Sequence, residues 1–520
     1  MHRDPTIEPS DDTAILRGVI DRAATHLLDP PRGADPVIAF ASPDDLATTF
    51  AETVGLAIEA DAAANPDDQL LAAVDQIIEW SMHTGHPRFV NQNFAGADPI
   101  SVVGDWLGAA LNTTGATYEV APVFTLMESA VLHKLGRLAG YVDRPEADLP
   151  ALPPGVFCAG GSMGTLLALQ LARHRHQPDI TTVGSNGDRL ALFVSASGHY
   201  AATKSASLLG IGSDGVVEVD TDGHGRMVPD ALGDAIVGAR RAGHVPFAVI
   251  GTAGTTVTAA FDELGALADI CRREDLWLHV DACYGGSALF SPAQAWRLDG
   301  VEHSDSMVWN LHKMMGMTQQ CTALLVKDPT RLAACFAARA DYLFQSDKLN
   351  GEYDSGDRTF MCARRIDGLK LWLTWKARGD RAFAARIDHA VAMAEHTRRR
   401  IDASDGAFVP LVLGDFTNVV FAWVPPRLRA SVPTTATGEL DLAALDRSVR
   451  SELHGYPPQI KARLQTAGTG MIGFQPVGEL NAFRMICISP TLQPDDVDAL
   501  LGAIDSCGLD ATGAPAPTGR

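Results

Sequence analysis

Positive charge is scarce in this chain. Its 520 residues carry 42 lysines and arginines against 63 aspartates and glutamates, a formal net charge of −21. A chain this acidic is poorly suited to nucleic acid, which is bound by neutralising phosphates with basic side chains. The balance says little about a small substrate, because a basic pocket can sit inside an acidic protein. Paired cysteines are also missing. The eight cysteines, Cys158, Cys271, Cys283, Cys321, Cys335, Cys362, Cys487 and Cys507, form no CxxC motif, and most lie in apolar stretches. Buried free thiols are expected, with no metal site and no disulfide framework. No uninterrupted apolar run is long enough to span a bilayer, and the opening MHRDPTIEPSDD lacks the apolar core of a secretory signal. No membrane partner and a cytoplasmic location are the expectations. No internal repeat is visible.

What is present is ordinary globular composition, 46% apolar and 20% charged. The length calls for a large catalytic domain with smaller flanking parts. Up to residue 95 the chain reads as helices joined by polar turns; ILRGVIDRAATHLL and DQLLAAVDQIIEW both show apolar residues at helical spacing. From 96 to about 375 short apolar strands alternate with helical stretches: VFCAG, ALFVSAS, FAVIGTAG, WLHVDAC, SMVWN and TALLVKD. That alternation predicts an α/β fold with a mainly parallel central sheet covered by helices. Residues 376–510 begin within a long amphipathic helix and continue through VVFAWV, AFRMICI and a closing helix, a small C-terminal α+β domain. The tail, 511–520, is expected to be disordered.

Four local patterns carry chemistry. HVDACYGG places Asp281 at the end of an apolar strand, where ligands gather in open α/β sheets. By itself such a carboxylate serves equally as a helix cap, a metal ligand or a catalytic group. SMVWNLHKMMG sets Lys313 directly after His312 among apolar residues. Desolvating an ammonium is costly, so this lysine either snorkels or carries a lowered pKa suited to a Schiff base. VFCAGGSMGT reads as strand, glycine turn and helix start, where the N–H groups of Gly161, Ser162 and Met163 can cradle a phosphate. His199 ends another strand, either as a satisfied core histidine or stacked on a flat ring. A phosphate cradle, an acid, a stacking group and a lysine together suit pyridoxal 5′-phosphate (PLP).

At this point HPRFVNQ, NTTGATYEVAPVFTLME, GTAGTTVTAAFD, LHVDACYGG, NLHKMMGMTQQC and YDSGDRTFMCARRIDGLKLWLTWKARG resemble the group II PLP-dependent decarboxylases. The nearest branch holds the glutamate and cysteine sulfinate decarboxylases. The likeness runs from about residue 80 to about 505. It implies PLP fold type I, the aspartate-aminotransferase-like arrangement, and a homodimer with shared active sites. It implies Lys313 as the Schiff-base lysine, Asp281 as partner of the pyridine nitrogen, and His199 stacked on the ring with Ala282 near its other face. Gly161, Ser162, Asn310 and His312 would surround the phosphate, and Thr252 would lie close by. Tyr353, on the loop SDKLNGEYDSGDR, would protonate the substrate from the neighbouring subunit; without the likeness it reads as a surface aromatic. Gln92 and Arg484 match positions that hold the substrate's acidic group. Phe94 and Thr114 resemble the sulfinate enzymes, which carry phenylalanine and serine there. The chain departs from the family at Gly164-Thr165, where Ala-Asn is usual, and at Leu311, where proline is usual.

The resemblance therefore implies decarboxylation of an L-amino acid to an amine and CO2, with cysteine sulfinate, aspartate or cysteate as substrate and no metal. The competing functions are decarboxylation of glutamate or of a non-acidic amino acid, oxidative deamination giving an aldehyde, and a non-catalytic regulatory role. Retention of Tyr353 speaks against the aldehyde-forming reaction, and retention of Lys313, Asp281 and His199 against the silent homologue. An aminotransferase or carbon–carbon lyase on the same fold fits the HPRF and YDSGD motifs less well.

Overall fold

A computed structural model describes residues 12–53, 55–58, 66–145, 152–338, 340, 342–345 and 347–513. The tail expected to be disordered lies outside these residues from position 514 onward. Twelve strands run in chain order as β1 (Phe89–Val90), β2 (Gly155–Cys158), β3 (Leu190–Ser195), β4 (Val216–Val219), β5 (Val245–Thr252), β6 (Trp277–Asp281), β7 (Ser306–Asn310), β8 (Thr322–Val326), β9 (Phe408–Val412), β10 (Asn418–Trp423), β11 (Met471–Val477) and β12 (Leu480–Ile486).

Seven of them form the central sheet in the order β2-β8-β7-β6-β5-β3-β4. All its pairings are parallel except the two made by β8. The sheet is mainly parallel for the reason its sequence shows: both faces are apolar. In β3, Leu192 and Val194 face one core with Leu167, Leu171 and Trp277, while Ala191 and Phe193 face the other with Leu278, Val280 and Trp309. Alternate residues point to opposite faces of a strand, so a run buried throughout must be covered on both sides. The helix Gly161–His176 covers the first face.

The second sheet has the order β1-β11-β12-β10-β9 and its own core, which includes Phe421, Trp423, Ile460, Phe483 and Leu500. Its first strand comes from far away in sequence: Phe89 and Val90 pair parallel with Met471 and Ile472. This short pairing brings the HPRFVNQ motif beside β11, one strand from β12, which carries Arg484. A long helix, Gly368–Asp402, links the two sheets, and Gly379 interrupts it with a left-handed backbone (φ 72°) that glycine adopts without steric cost. The eight cysteines are all free and six are buried. Among the described residues no helix is long and apolar enough to cross a membrane, and no cluster of side chains could hold a metal ion.

Candidate active site

Parallel strands point their carboxyl ends the same way, and the loops leaving them converge. Here those loops deliver Gly161 and Ser162 after β2, His199 after β3, Thr252 at the end of β5, Asp281 at the end of β6, and Asn310 and Lys313 from β7. All seven line one cavity of about 150 Å³, together with Thr165, Ala201, Gly254, Thr256, Cys283 and Tyr284.

Each wall has a local cause. Thr252 and Asp281 are register partners on neighbouring strands, so both side chains leave the sheet at one level. Asp262 fixes the end of β5 by accepting the N–H of Thr252 and of Met227, each at 2.7 Å. Burial pushes the Asp262 carboxyl up to about 6 despite these bonds. Asp281 accepts the N–H of Cys283 at 3.0 Å through Oδ1. Thr322 donates to Asn310 Oδ1 at 2.9 Å, which leaves the Asn310 amide NH2 toward Gly161. His199 lies 4.1 Å from the Tyr200 ring, centroid to centroid, and its Nδ1 accepts from the Ala201 N–H at 3.2 Å. Burial lowers its pKa, with Asp281 opposing the shift.

The remaining expected residues sit elsewhere. Met163 packs on the core beneath the helix, and Ala282 is fully buried. His312 lines a separate cleft of about 1100 Å³, which also takes Phe94. Its Nδ1 lies 3.1 Å from both the amide nitrogen and the carbonyl oxygen of Cys321, and burial lowers its pKa to about 4. Arg484 reaches the cavity wall by donating to the Thr256 carbonyl at 3.0 Å. Gln92 is exposed. Thr114 lies at another edge, donating to the carbonyls of Cys362 and Arg364 at 3.1 and 3.2 Å. Tyr353 is at that same edge, its ring 5.4 Å from that of Tyr118, and it is not part of this chain's Lys313 cavity.

The cavity's chemistry fits PLP. The helix Gly161–His176 has no side-chain cap, so its first N–H groups are free to bind an anion. A Cβ at Gly161 would collide with Cys283 Sγ and the Asn310 amide, so only glycine leaves the cradle open. Thr165 Oγ1 is buried there without a partner, an orphan that an anion would satisfy. The Lys313 amine makes no hydrogen bond or ion pair among the described residues. Sequence reading noted Thr165 only as a departure from the family pattern, and it passed over Cys283 and Thr256.

The comparisons with known proteins agree with this geometry. The model of the pyridoxal-dependent decarboxylase conserved domain matches residues 52–424. The chain is 42% identical over 459 residues to cysteine sulfinic acid decarboxylase of Mus musculus, covering 88% of this chain and 89% of that one. It is 42% identical over 452 residues to the acidic amino acid decarboxylase GADL1 of Bos taurus, covering 86% and 82%. The crystal structure of mouse CSAD superposes with a TM-score of 0.88 at 37% identity, covering 97% of this chain and all of the other. Fold, cavity and sequence thus converge: the chain belongs to the pyridoxal-dependent decarboxylase family, as a PLP-dependent amino-acid decarboxylase.

Proposed function

We propose that this enzyme decarboxylates a short acidic L-amino acid (cysteine sulfinate, aspartate or cysteate) to its amine and CO2. The observation that carries the reading is the meeting of Lys313, Asp281 and His199 in one cavity, in a chain 42% identical to a cysteine sulfinic acid decarboxylase. Bound there, PLP supplies a ring that accepts the electron pair left on Cα when CO2 departs. The chain's own residues do the rest. Lys313 would be the residue that holds the cofactor, through Nζ. Asp281 keeps a proton on the pyridine nitrogen, and an anionic partner is what such a proton needs. His199 would pack against the ring, with Ala282 buried behind the cavity wall beside Asp281. The N–H groups of Gly161, Ser162 and Met163 would hold the phosphate, with Asn310 and Thr252 lining the same cavity, whereas His312, which the resemblance also sets at the phosphate, lines the separate cleft.

Protonation at Cα belongs to the phenol of Tyr353 of the partner subunit, so the working form is a homodimer. Two features support it. Tyr353 stands outside its own chain's cavity, and Val103, Trp106, Leu107, Leu111, Val120 and Val123 leave apolar surface exposed on the segments beside Tyr118 and Thr114. Eight free cysteines suit the reducing cytoplasm.

The acidic substrate rests on Arg484 and Gln92, with Phe94 and Thr114 completing the pocket from the two subunits. A guanidinium suits a carboxylate or sulfinate. Phe94 narrows the pocket, and one extra methylene meeting such a wall costs about 1–3 kcal/mol, which disfavours glutamate. The test is kcat/KM of the PLP-loaded enzyme for cysteine sulfinate, aspartate, glutamate, 2,4-diaminobutyrate, valine and an aromatic amino acid. Cysteine sulfinate or aspartate should lead. A neutral or basic amino acid ahead by more than about tenfold (about 1.4 kcal/mol) contradicts the acidic-substrate reading and leaves decarboxylation standing.

A further inference from the structure

The helix Arg447–Thr466 carries Lys461 to the edge of the smaller sheet. Lys461 Nζ donates to Asn91 Oδ1 at 3.1 Å. The main-chain oxygen of the same Asn91 accepts from Arg484 Nη2 at 3.1 Å. The other terminal nitrogen, Nη1, donates to the Thr256 carbonyl, and Thr256 lines the Lys313 cavity. A continuous line of contacts therefore runs from Lys461 through Asn91 and Arg484 to the cavity wall. Asn91 directly precedes Gln92 in the chain.

These two half-buried cations are held by neutral oxygens, where Arg364 and Lys370 have carboxylates. Arg364 pairs with Glu128 at 2.7 Å, and Lys370 with Asp105 and Asp367 at 3.0 and 3.1 Å. Lys461 and Arg484 have no carboxylate partner among the described residues, in a chain with 63 acidic side chains to spare. Arg484 Nε is buried with no acceptor at all. Burial lowers the pKa of both groups, and Arg484 adds to the lowering at Lys461. Two neighbouring cations, partly desolvated and without a carboxylate between them, repel each other, a cost that an arriving anion would offset. Space is kept for the contact. Gly473 is the sheet partner of Arg484, and a Cβ there would press to 3.2 Å from the Asn91 carbonyl oxygen.

We propose that Lys461 is a positioning and specificity residue for the acidic group of the substrate. It fixes Asn91, and with it Gln92 and the Arg484 guanidinium, and it adds a second positive charge to the place where the distal carboxylate or sulfinate docks. The assignment rests on the acidic-substrate reading above. The effect belongs in binding and not in the bond-breaking step, because Lys461 acts through Asn91 and Arg484.

The test uses PLP-loaded Lys461→Met and Lys461→Arg enzymes with cysteine sulfinate as substrate and glutarate, an unreactive diacid, as competitive inhibitor. In Lys461→Met, KM for cysteine sulfinate and Ki for glutarate should both rise about tenfold or more while kcat stays within about twofold. Lys461→Arg keeps the charge and should recover most of both losses, whether or not the methionine variant folds. Unchanged KM and Ki in Lys461→Met overturns the assignment while leaving the acidic-substrate reading intact. A fall in kcat at constant KM, or an arginine variant as impaired as the methionine one, also overturns it. Wild-type preference for a neutral amino acid overturns the acidic-substrate reading and this assignment with it.

Discussion

As the proposed proton donor, Tyr353 would decide the reaction's outcome, because electron sink and proton donor are then separate groups. Lys313 and Asp281 sit together at strand ends, whereas Tyr353 lies on the short turn Gly351–Tyr353, against Tyr118. Tyr353→Phe removes one hydroxyl and leaves the cavity intact. CO2 release should persist while amine formed per CO2 falls about tenfold or more, with carbonyl product making up the difference, as mass analysis of products will show. An unchanged amine yield removes Tyr353 from the mechanism. That Lys313, Asp281 and His199 share a cavity was legible in the sequence because each lies at or just after the end of an apolar strand, where a parallel sheet gathers its loops. Thr165 and Lys461 were not. A threonine in a helix's first turns reads as ordinary helix, and its lack of a partner exists only once β2 and β7 are packed. Lys461 reads as the polar face of a helix, and its neighbour Arg484 is 23 positions away on another element.

Among elements, a buried ion pair helps to hold the Tyr353 edge. Arg364 donates to both oxygens of Glu128 on the helix Pro122–Leu138, at 2.8 and 2.7 Å. Its other terminal nitrogen donates to the Gly115 carbonyl and to Ser355 Oγ. The Thr114–Tyr118 and Tyr353–Ser355 segments are thereby tied to one side chain. Arg364→Met strands the Glu128 charge in an apolar setting and should cost about 3–5 kcal/mol of stability in urea unfolding. A double variant that also carries Glu128→Gln should recover part of that loss. A single-variant loss below about 1 kcal/mol contradicts the account of a buried pair. The helix Arg447–Thr466 escaped sequence reading because Pro457 and Pro458 fall inside it, and a proline there removes an N–H donor. Burial of Leu453, Tyr456, Ile460 and Leu464 offsets that loss. β11 escaped for a similar reason: Gly473 and Pro476 break a strand pattern that pairing on both sides restores. Six of the seven central strands were read without difficulty because unbroken apolar runs between helices have few other solutions, whereas β4, a short edge strand with Glu218 exposed, was missed.

For the whole molecule, the smaller sheet takes its first strand from residues 89–90 and its centre from residues beyond 418, so the HPRFVNQ motif and Arg484 meet from distant parts of the chain. The proposed homodimer would extend that division across two chains. Mixing Lys313→Ala subunits with Tyr353→Phe subunits should restore part of the normal amine yield, since one of the two hybrid sites regains both groups. No restoration after verified subunit exchange would mean that each chain builds its own site. All of this depends on the cofactor being held where the strand ends meet. The most direct measurement is borohydride reduction of the PLP-loaded enzyme followed by peptide mapping. The account predicts visible absorbance that reduction abolishes and a single pyridoxyl-modified peptide carrying the label on Lys313, with no label in Lys313→Ala. A label on any other lysine, or undiminished labelling of Lys313→Ala, would contradict it.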